Sequence, residues 1–186
     1  DLIVTIGVKP RGFETGFGYI RKGKRLITVN SIPLYKGERF VEKPNRKRAE
    51  AFVRSKQYFW NAGMFIFRTS GILAAFAKHL PRLHKLLARI PHPPTPEQIR
   101  ALYDHCPSVS IDYAVMEKSR NIAVYPGDFV WSDVGSWSAL EKFFEKDPSG
   151  MAAKGRVVQI QSRDCFVYNT SRLVALVGVE NLHVVE

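Results

Sequence analysis

Nearly every side chain from Leu2 to Val8 is apolar and several are β-branched, the pattern of a short strand buried on both faces. Arg39-Phe40-Val41-Glu42-Lys43-Pro44 reads as a short strand stopped by its proline. Asn45 then caps a helix whose inward positions are Ala49, Phe52 and Val53. Asn61-Ala62-Gly63 leads into Met64-Phe65-Ile66-Phe67, another short buried strand. Ile72, Leu73, Phe76 and Leu80 share one helical face, and Leu83, Leu86, Leu87 and Ile90 share another, with Pro81 forcing a break between them. Thr95-Pro96-Glu97-Gln98 combines a capping box with proline at the first helical position and predicts a helix through about Tyr103. Ser110 caps a further short helix through Glu117, and Asn121 to Tyr125 is a strand. Ser136 caps a helix with Trp137, Leu140 and Phe144 on its buried face, ended by Asp147-Pro148-Ser149-Gly150.

Beyond residue 149 the period changes. Val157 to Ile160, Cys165 to Tyr168, Leu173 to Val177 and Leu182 to Val185 read as short, evenly spaced strands with no helix between them. Two units are therefore expected, 1–148 and 149–186. Alternating strands and helices make the first an α/β layer structure that looks like the second half of something. The last portion looks like the opening of a larger β structure, too small to bury a core alone.

Charge adds one question. Lys and Arg number 28 against 17 Asp and Glu, a formal charge of +11, which fits nucleic acid, an acidic membrane surface or phosphorylated small molecules. The densest clusters are Arg21-Lys22-Gly23-Lys24-Arg25, which reads as an exposed hairpin turn, and Arg46-Lys47-Arg48 at a helix start. No aromatic residues interleave them as a stacking platform would need, so solvated basic faces are the expectation and nucleic acid is not. No apolar run reaches the roughly 18–20 residues that cross a bilayer, and no signal-peptide order opens the chain. Cys106 and Cys165 have neither metal-ligand spacing nor the numbers of a disulfide framework, so a cytoplasmic protein without a membrane partner is expected.

Candidate chemistry gathers where strands end. Glu42-Lys43 precedes Pro44, Asn61 precedes the Gly63 turn, and Asp133 lies between aromatic residues ahead of a helix. A lysine can meet a phosphate, a carboxylate can accept sugar hydroxyl protons, and a second carboxylate can hold Mg²⁺. Each also has a plain structural reading: Glu42 paired with a surface lysine, Asn61 capping a turn, Asp133 as an Asx-turn residue before Gly135.

Five segments in order tip the balance. They are Glu14-Thr15-Gly16-Phe17-Gly18-Tyr19-Ile20, Phe40-Val41-Glu42-Lys43-Pro44, Trp60-Asn61-Ala62-Gly63-Met64-Phe65, Ser110 to Lys118 and Trp131-Ser132-Asp133-Val134-Gly135-Ser136-Trp137. Together they resemble the mannose-1-phosphate guanylyltransferases, which are nucleotide-sugar pyrophosphorylases. The resemblance implies the C-terminal, sugar-binding half of a Rossmann-like nucleotidyltransferase domain with a mixed sheet, followed by the start of a β-helix-like all-β domain. It implies that Gly18 brings backbone close to the sugar, that Glu42 accepts sugar hydroxyls, and that Asn61 with Gly63 completes the mannose pocket. Lys43 would meet the sugar phosphate, Asp133 would ligate Mg²⁺, and Glu14 would lie beside the sugar. In such enzymes mannose 1-phosphate attacks the α-phosphorus of GTP in line, giving GDP-mannose and pyrophosphate. The Gly-rich nucleotide loop of that family and the isomerase domain of its bifunctional forms have no counterpart here. The chain is thus expected to be an incomplete piece, inactive alone toward GTP. The exposed sheet edge this would leave invites self-association, so a homo-oligomer stays open. Another sugar-1-phosphate nucleotidyltransferase, a non-catalytic sugar-phosphate module and a basic nucleic-acid binder are the alternatives. The main expectation is geometric: Lys43, Glu42, Asn61 and Asp133 should converge on one small cavity.

Overall fold

The computed structural model describes all 186 residues, which fall into two compact units, Asp1–Trp131 and Ser132–Glu186. In the first, five strands pair in the order β1 (Ile3–Val8), β4 (Tyr58–Ile66), β2 (Tyr19–Val29), β3 (Ile32–Val41), β5 (Ile122–Gly127), and β5 returns to β1 so that the ladder closes into a ring. The β1–β5 pair is parallel and the other pairs are antiparallel, so the sheet is mixed. Ile3, Ile20, Phe40, Ile122 and Val124 pack inward with Val115 and Met116 to form the main core. Each such side chain contributes about 1.5–3 kcal/mol of burial.

The basic run Arg21–Arg25 does not turn the chain; it lies inside β2. The turn comes later, at Asn30 and Ser31, whose positive φ angles of 46° and 65° suit a tight hairpin. Partners across the ladder explain why the charges tolerate a strand: Arg21 pairs with Glu38 at 3.6 Å, and the Lys22 ammonium lies 5.0 Å over the Tyr35 ring.

Helix α1 (Arg46–Ser55) begins as expected, with Asn45 Oδ1 accepting from the Arg48 N–H at 3.0 Å and with Ala49 and Phe52 buried. Pro81 separates α2 (Thr69–His79) from α3 (Pro81–Leu87), and α3 buries none of its residues. Helix α4 (Pro96–His105) has both hydrogen bonds of its capping box, between Thr95 and Gln98. The short helix after Ser110 is a π-helix, Asp112–Met116, with Ala114, Val115 and Met116 buried. Two expectations fail in β4 and at the residue after it. Asn61 stands within the strand rather than before a turn, and Met64, Ile66 and Phe67 are exposed rather than buried.

In the second unit, α5 (Trp137–Glu141) is capped by the Ser136 hydroxyl but is shorter than its apolar pattern suggests, and Trp137 is exposed. Phe144 lies outside the helix, edge-on to Phe166. Strands β6 (Ala152–Ile160), β7 (Phe166–Val177) and β8 (His183–Val185) form a parallel sheet in that order. The two segments expected at 165–168 and 173–177 are thus one bent strand. Residues 161–165 join β6 to β7, too short a link for a helical crossover. The chain therefore coils, stacking strand on strand around Met151, Cys165, Val167 and Leu176. Buried Asn169 holds the bend, its Nδ2 donating to the carbonyls of Arg156 and Arg172 at 3.0 Å each. Cys106 and Cys165 are free thiols.

Candidate functional site

Glu42 is the first residue beyond β3, and Lys43 follows it with φ of 44°. That left-handed residue breaks the alternation that would send adjacent strand side chains to opposite faces. Lys43 stays close enough for its charge to act on both Glu42 and Asp112. Two backbone bonds hold the kink: Lys43 N–H donates to Phe17 O at 3.2 Å, and Glu42 N–H donates to Glu117 Oε1 at 2.8 Å.

Asn61 arrives from β4 through a bulge. Thr5 pairs with Phe65 and Gly7 with Asn61, so β4 carries extra residues between those pairs, and Gly63 absorbs the distortion with φ of +72°. Buried Asn61 then meets Thr5 and Asp112. The Thr5 hydroxyl donates to Asn61 Oδ1 at 2.7 Å, and Asn61 Nδ2 donates to Asp112 Oδ1 at 3.3 Å. On the other side Asn61 N–H donates to Gly18 O at 2.8 Å. A β-carbon on Gly18 would stand 2.5 Å from Glu42 Oε2 and 3.2 Å from Asn61 Cβ. Phe17 packs edge-on against Trp60 and Trp131, which fixes the approach to Gly18.

Glu42 Oε2 is buried with no hydrogen-bond partner. Burial first, then the negative charge of Asp112, push the Glu42 carboxyl up to about 7; Lys43 opposes this and Glu117 adds to it. Asp112 is also raised, mainly by burial, against the pull of its own backbone N–H and of Lys43. Three carboxylates and one ammonium, which acts on Glu42 and Asp112, thus gather around a spot that a glycine keeps open. Such a place can accept hydroxyl protons through Glu42 and attract an anion through Lys43.

Gly18, Glu42, Lys43 and Asn61 are therefore brought together. Glu14 is tied in by its backbone alone, whose N–H and carbonyl both bond the Tyr19 hydroxyl at 2.9 Å. Gly63 shapes the bulge, and open space surrounds its α-carbon. Asp133 belongs to the second unit. There it forms the Asx turn, its Oδ1 accepting from Gly135 N–H at 3.4 Å, beside a cleft of about 420 Å³ lined by Val134, Trp137 and Tyr168 among others. Sequence reasoning did not single out Thr5, Asp112 or Glu117. Thr5 had a signal, as the hydroxyl residue within the apolar run Leu2–Val8, and Asp112 had one as the acidic residue amid Ile111, Tyr113, Ala114 and Val115.

The nucleotidyl transferase family model matches residues 1–150. The chain belongs to that family. A second model, the MannoseP isomerase/GMP-like beta-helix domain, matches residues 155–186, where β6, β7 and β8 stack in parallel. A mannose-1-phosphate guanylyltransferase of Klebsiella pneumoniae is 40% identical over 98% of this chain and 40% of its own length. The alginate biosynthesis protein AlgA of Pseudomonas putida is 41% identical over 99% of this chain and 39% of its own. The chain thus spans about two fifths of the length of these curated relatives. A crystal structure described as mannose-1-phosphate geranyltransferase from Thermus thermophilus superposes with a TM-score of 0.82 at 38% identity, covering 100% of this chain and 53% of that one. The α/β nucleotidyltransferase unit with a β-helix-like unit after it is the architecture expected from the sequence.

Proposed function

We propose that this chain carries the sugar-phosphate site of a mannose-1-phosphate guanylyltransferase, which makes GDP-mannose and pyrophosphate from GTP and mannose 1-phosphate. The observation that carries this reading is the buried, unpartnered Glu42 oxygen facing Gly18, with Lys43 and Asn61 beside it. Glu42 accepts hydroxyl protons of the hexose, and the absence of a side chain on Gly18 lets the ring approach. Lys43 pairs with the sugar phosphate and holds its oxygen for in-line attack on the α-phosphorus of the nucleotide. Positioning and charge neutralisation supply the rate enhancement, with no covalent enzyme intermediate.

Mg²⁺ belongs to the same reading. Asp133 is an exposed carboxylate with one oxygen engaged by a backbone N–H and capacity left on the other, which fits a single protein ligand. No group of three His, Cys, Asp or Glu side chains is arranged to hold a metal ion, and Mg²⁺ commonly takes one or two carboxylates and completes its shell from phosphate oxygens and water. Bound to Asp133, it would supply charge neutralisation to whichever phosphate oxygens complete its shell.

The test is calorimetry of the chain with mannose 1-phosphate, free mannose and glucose 1-phosphate, for wild type and Glu42→Gln. Preferential binding of mannose 1-phosphate, weakened by the substitution, supports the site. Equal heats for wild type and variant would remove it. In the whole enzyme, Asp133→Asn should cut turnover by orders of magnitude and leave the fold intact, and near-normal turnover would end the metal assignment.

A further inference from the structure

Asn61 is held between two polar groups of different character. Thr5 carries a hydroxyl, which can donate or accept, so it is compatible with either face of an amide. Asp112 is different. An ionised carboxylate only accepts, so the group turned toward it must be Nδ2. Between these neighbours, Asp112 is the one that decides the amide's orientation. Thr5 then follows, donating to Oδ1 at 2.7 Å.

We propose that Asp112 is a positioning residue of this site, locking the Asn61 side-chain amide with Nδ2 toward the carboxylate cluster and its second N–H as the free donor. The backbone supports this role. Asp112 opens a π-helix, a wide turn that is rare in proteins and recurs at functional sites. The buried run Ala114-Val115-Met116 anchors that helix in the core beneath the sheet, so its first residue is held rather than mobile. The Asp112 charge also acts on Glu42, alongside Lys43 and Glu117, the remaining charged groups that bear on that carboxyl. Asp112 therefore influences both halves of a hydroxyl-reading pair: which atom Asn61 offers, and how readily Glu42 gives up its proton.

The ligand in this inference rests on the sugar-phosphate reading, but the amide geometry can be tested without any ligand. The experiment records the ¹H–¹⁵N resonances of the Asn61 side chain against pH in the unliganded chain, for wild type, Asp112→Asn and Thr5→Val. In wild type one Nδ2 proton should shift as the carboxylates titrate. Asp112→Asn should remove the Asp112 part of that shift, leaving a smaller one, and move the Glu42 titration toward the ordinary carboxylate range. Thr5→Val should keep both. With mannose 1-phosphate as the probe, Asp112→Asn should weaken binding on the order of tenfold, the scale of a hydrogen bond to a charged group. Its pH midpoint should fall with no drop in melting temperature, which loss of packing alone would not produce. Asn61 resonances and a Glu42 titration unchanged in Asp112→Asn overturn the proposal. If that variant does not fold, wild type decides, because an Asn61 amide insensitive to carboxylate titration overturns it equally. An amide that responds as expected in a chain that does not bind mannose 1-phosphate supports the role of Asp112 and removes the sugar-phosphate reading instead.

Discussion

Gly18 leaves open the space that Glu42 occupies: a β-carbon on Gly18 would stand 2.5 Å from Glu42 Oε2. Its φ lies outside the left-handed region, so the constraint is room and not backbone conformation. Gly18→Ala should therefore push the Glu42 side chain aside, which is cheap because its end is flexible. Calorimetry should show mannose 1-phosphate affinity reduced by about tenfold or more, the cost of a displaced charged acceptor. Thermal unfolding should change far less. A large fall in melting temperature with unaltered affinity would reverse this assignment.

Glu42 predicts a pH dependence of stability. Its folded carboxyl is raised from 4.5 to about 7, so between those values the folded state binds more protons than the unfolded one. Stability from this group falls as pH rises through that window and is flat above it. Asp112 shifts in the same direction. Glu42→Gln removes the ionisable group, so its melting temperature should gain on wild type as pH climbs from 4.5 to about 7 and keep the advantage above. Parallel curves for the two proteins would show that the carboxyl is not perturbed.

Lys43 carries a strained backbone for the sake of its side chain. A left-handed residue other than glycine costs roughly 1–2 kcal/mol. Lys43→Gly should relieve that strain and leave the melting temperature near wild type at about pH 5, where Glu42 keeps its proton. Mannose 1-phosphate binding should nonetheless be lost, while weak binding of free mannose persists. Retained phosphate-dependent affinity would move the anion contact to another residue.

Gly155 does the same kind of work in the second unit. It has φ of +102°, and a β-carbon there would overlap Asn169 Oδ1. Asn169 cannot yield without releasing the carbonyls of Arg156 and Arg172. Gly155→Ala should destabilise the β6–β7 sheet by roughly 3 kcal/mol or more, as strain combined with a broken buried polar contact does. Hydrogen exchange should find the loss in β6 and β7 and spare β1–β5. Uniform protection across both units would contradict it.

Local signals were legible where local physics decides. The Asn45 cap, the Thr95/Gln98 capping box and the Pro81 break each depend on a few neighbouring residues, and each is found as expected. Glu42-Lys43 stood out because Pro44 marks a strand end. What failed depended on partners far away in sequence. The basic run of β2 reads as a turn until Glu38 and Tyr35 appear across the ladder. Asn61 sits in mid-strand because Gly7 of β1 pairs with it and a bulge carries β4 on past Gly63. Asp112 reaches Asn61 only because a π-helix, invisible to a 3.6-residue period, sets its direction.

The Thr5–Asn61–Asp112 chain of hydrogen bonds draws on residues more than a hundred positions apart. Its two contacts, 56 and 51 positions apart, form late, since the entropy of closing long loops opposes them until local structure exists. During refolding, helix signals should recover first and core fluorescence next. Competence to capture a ligand should come last, as a clock that strikes only when the ring of strands has shut.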